Sequence, residues 1–351
     1  MITDLRLQNF RSYKDDSFEF GESVNIIVGP NASGKTNLLE ALLVLAKGSS
    51  YRARDNELIK FGQPWARLDA HQLGGNQRTV KIEIAANPSK TYEIGGKVYS
   101  RLGLNNSLGV VLFEPTHLSL LNGAPDFRRT YLDDLLEQTV AGYGSLRRRY
   151  RRTLAQRNAL LKKGQVSAAQ LFPWDLRLSE LGGQIVRRRC ELATALDRKI
   201  GGLYKDLSQA KTKIHLIYEA RWPSDAYETN LLKKLSSNAE VDALRGFTSV
   251  GPHREDLAVL FDGHPASETA SRGEVRTLVL GLKILELEII KAAREATPLL
   301  LLDDVFSELD GKRRRALTAH LRPYQTFITT TDADVILHHF TDQCQIIPVQ
   351  K

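Results

Sequence analysis

Unbroken apolar runs and periodic apolar patterns divide this chain between them, and the two kinds predict different elements. Asn25-Ile26-Ile27-Val28 reads as a buried strand, and Asn37 to Lys47 places Leu38, Leu39, Ala41, Leu42 and Leu45 at helical spacing. Val80 to Ala85 and parts of Tyr92 to Val98 alternate apolar with polar, with Gly95-Gly96 as a turn, and predict antiparallel hairpin strands. Ser145 to Lys163 and Trp174 to Tyr204 predict amphipathic helices. The second has a near-heptad face of Leu178, Leu181, Ile185, Leu192, Leu196 and Leu203, weakened at Gly182-Gly183. Val275, Leu278, Leu282, Leu285 and Ile289 mark a further helix. Four leucines, Leu299 to Leu302, suit a central parallel strand covered on both faces. A helix from about Lys312 and the strand Thr326 to Thr329 complete an α/β pattern. Residues 1–127 and 246–351 read as one discontinuous strand-rich head, and 128–245 as an inserted helical lobe with a short hairpin.

Between the first strand and its helix stands Gly29-Pro30-Asn31-Ala32-Ser33-Gly34-Lys35-Thr36, the G-x-x-x-x-G-K-[ST] pattern of a phosphate-binding loop, followed by Asn37. Its glycines let backbone N–H groups turn inward, and the helix N-terminus adds about half a positive charge. Lys35 is the candidate for the β- and γ-phosphates of ATP, and the Thr36 hydroxyl for Mg²⁺. The leucine run ends in Asp303-Asp304. Asp303 is the candidate metal ligand. Asp304 either orients the attacking water or caps the following turn.

Glu268 to Arg276 contains Ser271-Arg272-Gly273-Glu274 at the start of a long helical pattern. A serine there is ordinarily an N-cap. Lying ahead of the carboxylate strand and after a phosphate loop, the segment resembles the signature motif of ABC-type ATPases. Ser307-Glu308-Leu309-Asp310 resembles their D-loop. Leu5 to Tyr13, the loop through Glu40, Ser50-Tyr51-Arg52 with Glu57-Leu58-Ile59, and Val110 to Phe113 with Pro115 are each similar to segments of the RecF family. So are Arg128 to Asp133, Gly251 to Leu257 and Leu301 to Asp310, in the same order along the chain. The chain is therefore identified as resembling the RecF family, within the SMC, Rad50 and RecF group.

That resemblance implies an ABC-type ATPase head, a mixed sheet with a phosphate loop, interrupted by a helical lobe without a long coiled coil. It implies ATP and Mg²⁺ as cofactors, with Ser271 and Gly273 facing the γ-phosphate held by a second copy, so that ATP binding makes a homodimer. Arg11 joins the nucleotide-binding candidates on the same ground. The implied activity is weak, DNA-stimulated ATP hydrolysis that releases a clamp from duplex or gapped DNA in recombinational repair, replication and the SOS response. RecO and RecR mediators and RecA recombinase are the implied partners, in the cytoplasm and nucleoid. The departures are Arg272 and Glu274, where the family reads glutamine, and Glu114-Pro115-Thr116-His117, where it has a small residue, proline and acids. Thr329-Thr330-Thr331 stands where transporters place a switch histidine. The competing reading is an ATPase subunit that drives a transporter or another protein machine.

Charge adds a partner class. Lysine and arginine number 49 against 41 acidic residues among 351, a formal net charge of +8 that favours a polyanion. Arg147, Arg148, Arg149, Arg151 and Arg152 form one cluster and Arg187, Arg188 and Arg189 a second. Arg147, Arg148, Arg151, Arg152, Arg187 and Arg188 are the DNA-phosphate candidates, with a solvated helix face as the alternative. Arg313-Arg314-Arg315 is a weaker cluster. No base-reading motif is present, so binding would be independent of sequence. Cys190 and Cys344 fit no metal spacing and no disulfide framework. No apolar stretch approaches the ~20 residues of a membrane span, and the N-terminus lacks a secretory pattern.

Overall fold

The computed structural model describes residues 1–84, 88–163, 167–332 and 344–350; Ala85, the expected end of one strand, lies outside them. The chain packs as two compact units, residues 1–117 with 286–351, and residues 118–285.

The first unit holds two sheets around one helix. An antiparallel sheet has the order β2 (Asp15–Glu19), β1 (Ile2–Gln8), β4 (Trp65–Gln72), β5 (Gln77–Glu83), β6 (Ser89–Ile94), β7 (Lys97–Tyr99). An all-parallel sheet has the order β14 (Cys344–Pro348), β3 (Val24–Val28), β13 (Thr326–Thr330), β12 (Leu299–Asp303), β8 (Val110–Phe113). Helix α1 (Lys35–Lys47) buries Leu38 through Ala46 in one core with Leu5 and Leu7 of β1, Val80 and Ile82 of β5, and Leu301 and Phe327 of the parallel sheet. A helix clasped by two sheets must be apolar nearly all round, which explains its run of leucine, alanine and valine. Gly48 ends it in the left-handed conformation at φ 80°, its N–H donating to Val44 O.

The second unit is built on α5 (Ala168–Ser208), a 41-residue helix that opens with a Ser167–Gln170 capping box. Against it pack α3 (Pro125–Thr139), α4 (Tyr143–Leu161) and α6 (Tyr227–Ser237), together with β9 (Ile214–Glu219). β9 pairs antiparallel with β10 (Asp256–Phe261), which pairs with β11 (His264–Pro265). Short helices α2 (Ser119–Asn122), α7 (Ala239–Arg245) and α8 (Ala266–Thr269) complete the unit. Gly182 and Gly183, which weaken the heptad pattern, permit close approach of α6. A Cβ on Gly183 would lie 2.2 Å from Glu228 Cγ, and one on Gly182 2.9 Å from Leu231 Cδ2.

The unit boundary differs from the sequence expectation of a lobe over 128–245. It falls within α9 (Arg272–Arg294), so β9, β10, β11 and the Ser271 segment pack with the helices. The cause is strand pairing and close helix packing. β10 needs β9 as its partner, β9 lies on α5, and Gly281 of α9 sits against Ile200, Leu203 and Leu207 of α5. After β12 the chain forms α10 (Val305–Glu308) and α11 (Gly311–Leu321), which belong to the first unit.

Candidate functional site

β3, β13 and β12 are adjacent parallel strands, and their carboxyl ends meet at one edge, where ligands of open α/β sheets bind. The phosphate loop leaves β3 there. Gly29 has no room for a side chain: a Cβ would lie 2.3 Å from Val349 O and 2.6 Å from Ser33 Oγ. Gly34 is left-handed at φ 113°, and its carbonyl accepts from the Tyr13 hydroxyl at 3.0 Å. Pro30, Asn31 and Ala32 form the exposed rim, with Ala32 also at positive φ.

Two polar groups in the loop are held ready for a ligand. Lys35 is buried, and its ammonium donates to the carbonyls of Gly29 at 2.7 Å and Pro30 at 2.9 Å. Ser33 Oγ is buried with no hydrogen-bond partner among the described residues. An orphaned hydroxyl is costly unless a further group satisfies it, and a phosphate oxygen at the loop would do so. The donor set also suits a hard cation. Thr36 Oγ1 donates to Asp303 Oδ1 at 3.0 Å, across 267 residues of sequence. A hydroxyl and one carboxylate, with phosphate and water completing the shell, is how Mg²⁺ is ordinarily held beside a nucleotide. Thr36 and Asp303 are therefore the residues that would hold it.

Thr329 of β13 belongs to the Thr329-Thr330-Thr331 run, to which the sequence assigned no contact with the site. Its hydroxyl donates to Asp303 Oδ1 at 2.8 Å and accepts from Asp304 N at 2.9 Å. The Tyr51 hydroxyl lies 3.4 Å from Asp303 Oδ2. Burial, followed by the Asp303 charge, pushes the Tyr51 phenol far up, so it remains a donor. Asp304 is exposed and left-handed at φ 53°, and it is the N-cap residue of α10 without a side-chain capping bond. That leaves the simple capping role without its defining hydrogen bond.

Behind the loop lies Glu40 of α1, fully buried. Arg11 grips it with Nε and Nη2 at 2.8 and 2.9 Å, Ser50 Oγ donates to it, and Arg52 Nη2 donates at 3.0 Å. Burial pushes the Glu40 carboxyl up, but the bonds from Arg11, Arg52 and Ser50 outweigh it, and the net shift is downward. Arg11, a nucleotide-binding candidate, is here paired with Glu40, and its third nitrogen donates to Glu57 O at 2.8 Å. The Asn37 side chain is likewise engaged, donating to Ser12 Oγ and accepting from Arg52. Nothing local in sequence joins Glu40 to Arg11 and Arg52; only folding does.

In the second unit Ser271 heads α9 in a capping box. Its N–H and hydroxyl donate to Glu274 Oε2 at 2.8 and 2.7 Å, and Glu274 N donates back to Ser271 Oγ at 3.3 Å. Gly273 O accepts from the Thr277 hydroxyl. The Ser307 and Glu308 side chains lie outside the described positions.

The arginine runs divide by azimuth. Successive residues on a helix turn by about 100°, so Arg148, Arg149, Arg151 and Arg152 share an exposed face of α4, whereas Arg147 turns inward. Arg147 corrects the DNA-phosphate expectation: it is buried, paired with Asp133 at 3.0 Å, Asp134 at 3.0 Å and Glu137 at 2.9 Å, and is unavailable to DNA. Arg187 and Arg188 of α5 are exposed, with Arg188 paired to Glu191. Arg189 is buried, bidentate to Asp133 and donating to Tyr218 Oη and Pro252 O. Two distant motifs meet here: Arg128 pairs with Asp256 at 2.6 Å, and Arg129 donates to Glu255 O.

No helix of the described residues is long and apolar enough to cross a membrane. Residues 1–351 match the family model described as RecF/RecN/SMC N terminal domain. The chain is 35% identical to the DNA replication and repair protein RecF of Heliobacterium modesticaldum, over 97% of this chain and 94% of that one. It is 36% identical to the RecF of Synechococcus sp. strain JA-3-3Ab, over 99% and 95%. Among solved structures it is similar to the recombination mediator protein RecF-ATPrS in the RecFOR pathway, at TM-score 0.89 and 29% identity, covering 100% of this chain and 98% of that one. An SMC head bound to the C-winged helix domain of ScpA shares the fold alone, at TM-score 0.55 and 16% identity, over 100% and 94%. These relatives support the repair-protein reading and not the transporter one. Its fold is the head fold of that ATPase group, and the chain belongs to the RecF family of DNA replication and repair proteins.

Proposed function

We propose that this protein is an ATP-dependent DNA clamp of recombinational repair, which closes as a homodimer on ATP binding and opens on slow hydrolysis. The observation that carries the reading is the meeting of Thr36 and Asp303 at 3.0 Å beside a loop with a buried lysine and an orphaned serine hydroxyl. Lys35 leaves the Gly29 and Pro30 carbonyls for the β- and γ-phosphates. Thr36 and Asp303 would hold Mg²⁺, which would neutralise phosphate charge. Asp304 orients the attacking water. Ser271 and Gly273 of one copy face the nucleotide held by the other, giving a two-fold closed dimer.

Arg148, Arg151, Arg152, Arg187 and Arg188, with Arg149 beside them, bind duplex phosphates without reading bases. Family membership supports action near single-strand gaps, RecO and RecR mediators, RecA loading, DNA-stimulated turnover and a place in the cytoplasm at the nucleoid. The test is molecular mass in solution with Mg²⁺, without nucleotide, with ATP and with ADP, each with and without gapped duplex. A dimer formed with ATP, strengthened by DNA and lost with ADP is expected. A monomer under every condition would sink the clamp.

A further inference from the structure

The phosphate loop and the carboxylate pair stand on strands that do not touch. β13 lies between β3 and β12, and the parallel register puts Thr329 directly beside Asp303. Phe327 and Ile328 before it are apolar and fully buried, and Thr329 itself is 1% exposed. A hydroxyl in such a strand must find partners. This one spends its proton on Asp303 Oδ1 and a lone pair on the N–H of Asp304.

Both bonds act on the carboxylate pair that ends the leucine run. Asp303 Oδ1 also accepts from Thr36, so two hydroxyls from different parts of the site fix one carboxylate oxygen, while Tyr51 stands near the other. Asp304 adopts a left-handed backbone at φ 53°, ψ 18°, which a residue with a Cβ enters at a cost. The Thr329 oxygen binds the N–H that this turn directs toward β13.

We propose that Thr329 is a positioning residue of the ATP site: its single hydroxyl sets the metal-facing carboxylate of Asp303 and the backbone turn that presents Asp304. The inference rests on the reading that Thr36 and Asp303 hold Mg²⁺ beside the nucleotide, and goes beyond it by assigning a residue that touches neither. Thr329 occupies one place in the strand and performs two tasks, so removing its hydroxyl should disturb metal use and hydrolysis together.

The experiment compares wild type with Thr329→Val, which keeps the branched shape, and Thr329→Ser, which keeps the hydroxyl. Thr329→Ala stands in as the deletion if the valine chain misfolds, with thermal unfolding as the control. ATP affinity is read by calorimetry across a Mg²⁺ titration and in excess chelator, and turnover is measured separately. Loss of a hydrogen bond to a charged group predicts an increase of about tenfold in the half-saturating Mg²⁺ for Thr329→Val, with affinity in chelator unchanged. Turnover should fall at least as much, and Thr329→Ser should return both to within about threefold of wild type. A wild-type Mg²⁺ midpoint in the valine and alanine chains, or no rescue by serine, overturns the proposal. Lys35→Ala separates the two levels. If wild type shows no Mg²⁺-dependent ATP binding that Lys35→Ala abolishes, the underlying site reading fails and the proposal with it.

Discussion

Glu40 and Asp133 are buried carboxylates that each gather two arginines from distant segments, one in each unit. Glu40 takes Arg11 and Arg52, and Asp133 takes Arg147 and Arg189. The difference lies in the cations. The Arg11 and Arg52 side chains are 21% and 37% exposed, whereas Arg147 and Arg189 are 10% and 6% exposed. Both carboxylates are buried, but Arg11 and Arg52 reach solvent and can turn to it if Glu40 is lost. Arg147 and Arg189 are themselves enclosed, and Tyr143 and Tyr218 add further hydrogen bonds to their cluster. The same chemical device thus serves two ends. In the first unit it braces the helix that carries Lys35 and Thr36, and Arg52 also reaches Asn37 in that helix's first turn. In the second it is a sealed joint between α3, α4 and α5.

The largest effect should come from breaking the sealed joint. Asp133→Asn leaves two buried guanidiniums short of charge and should cost about 3–5 kcal/mol of stability by chemical denaturation. A loss under ~1 kcal/mol would mean that water reaches the cluster after all. Glu40→Gln should cost less, about 2 kcal/mol, since its arginines can turn to solvent. It should also weaken ATP binding, which Asp133→Asn at permissive temperature should spare; equal effects on ATP affinity would erase the functional contrast.

Acid should sharpen the comparison next. Glu40 and Asp133 both titrate below the usual carboxylate range. For Asp133, burial pushes upward and Arg189, Arg147 and Tyr143 outweigh it. Their stabilisation is present above the unfolded-state carboxylate pKa of ~4 and is lost as pH falls through the depressed folded values. The second unit carries an earlier loss. His253 accepts from the Tyr150 hydroxyl and faces Thr248 O; burial lowers it from 6.5 to about 4, with Arg254, Arg129 and Arg189 adding to the fall against the Thr248 bond. A depressed folded pKa means the unfolded chain takes up the proton first. Stability should therefore be complete above pH 6.5 and decline toward pH 4, by at most ~1.4 kcal/mol per pH unit. His253→Gln should flatten that slope, and an unchanged profile would refute the assignment.

The smallest effect on stability belongs to the exposed arginines. Replacing Arg148, Arg151, Arg152 and Arg187 with alanine should move stability by no more than ~0.5 kcal/mol each. DNA affinity should nevertheless fall, and its dependence on log salt should flatten by about 0.9 for each phosphate no longer neutralised. Unchanged binding would return these side chains to a solvated face. The same exchange at Arg147 should do the reverse, costing stability as a buried pair does.

The local patterns were readable in one dimension. Gly29 to Thr36 is specified by backbone geometry, and an unbroken leucine run ending in two aspartates describes a buried strand that delivers carboxylates to its end. Hydrophobic spacing also located α1, α4, α5 and α9, because burial on a helix repeats with its turn. Arginines give no such signal. Arg147 and Arg148 look alike in the sequence, and one faces three carboxylates inside while the other faces water.

By itself the sequence determined the elements, the phosphate-loop chemistry and the family, since these depend on neighbours along the chain and on motif order. Tertiary structure alone decided that Arg11 and Arg147 pair with interior carboxylates, that the second unit takes in the Ser271 segment, and that Thr329 bonds both Asp303 and Asp304. Those outcomes follow from strand order, register and helix azimuth, which join residues that no local pattern connects.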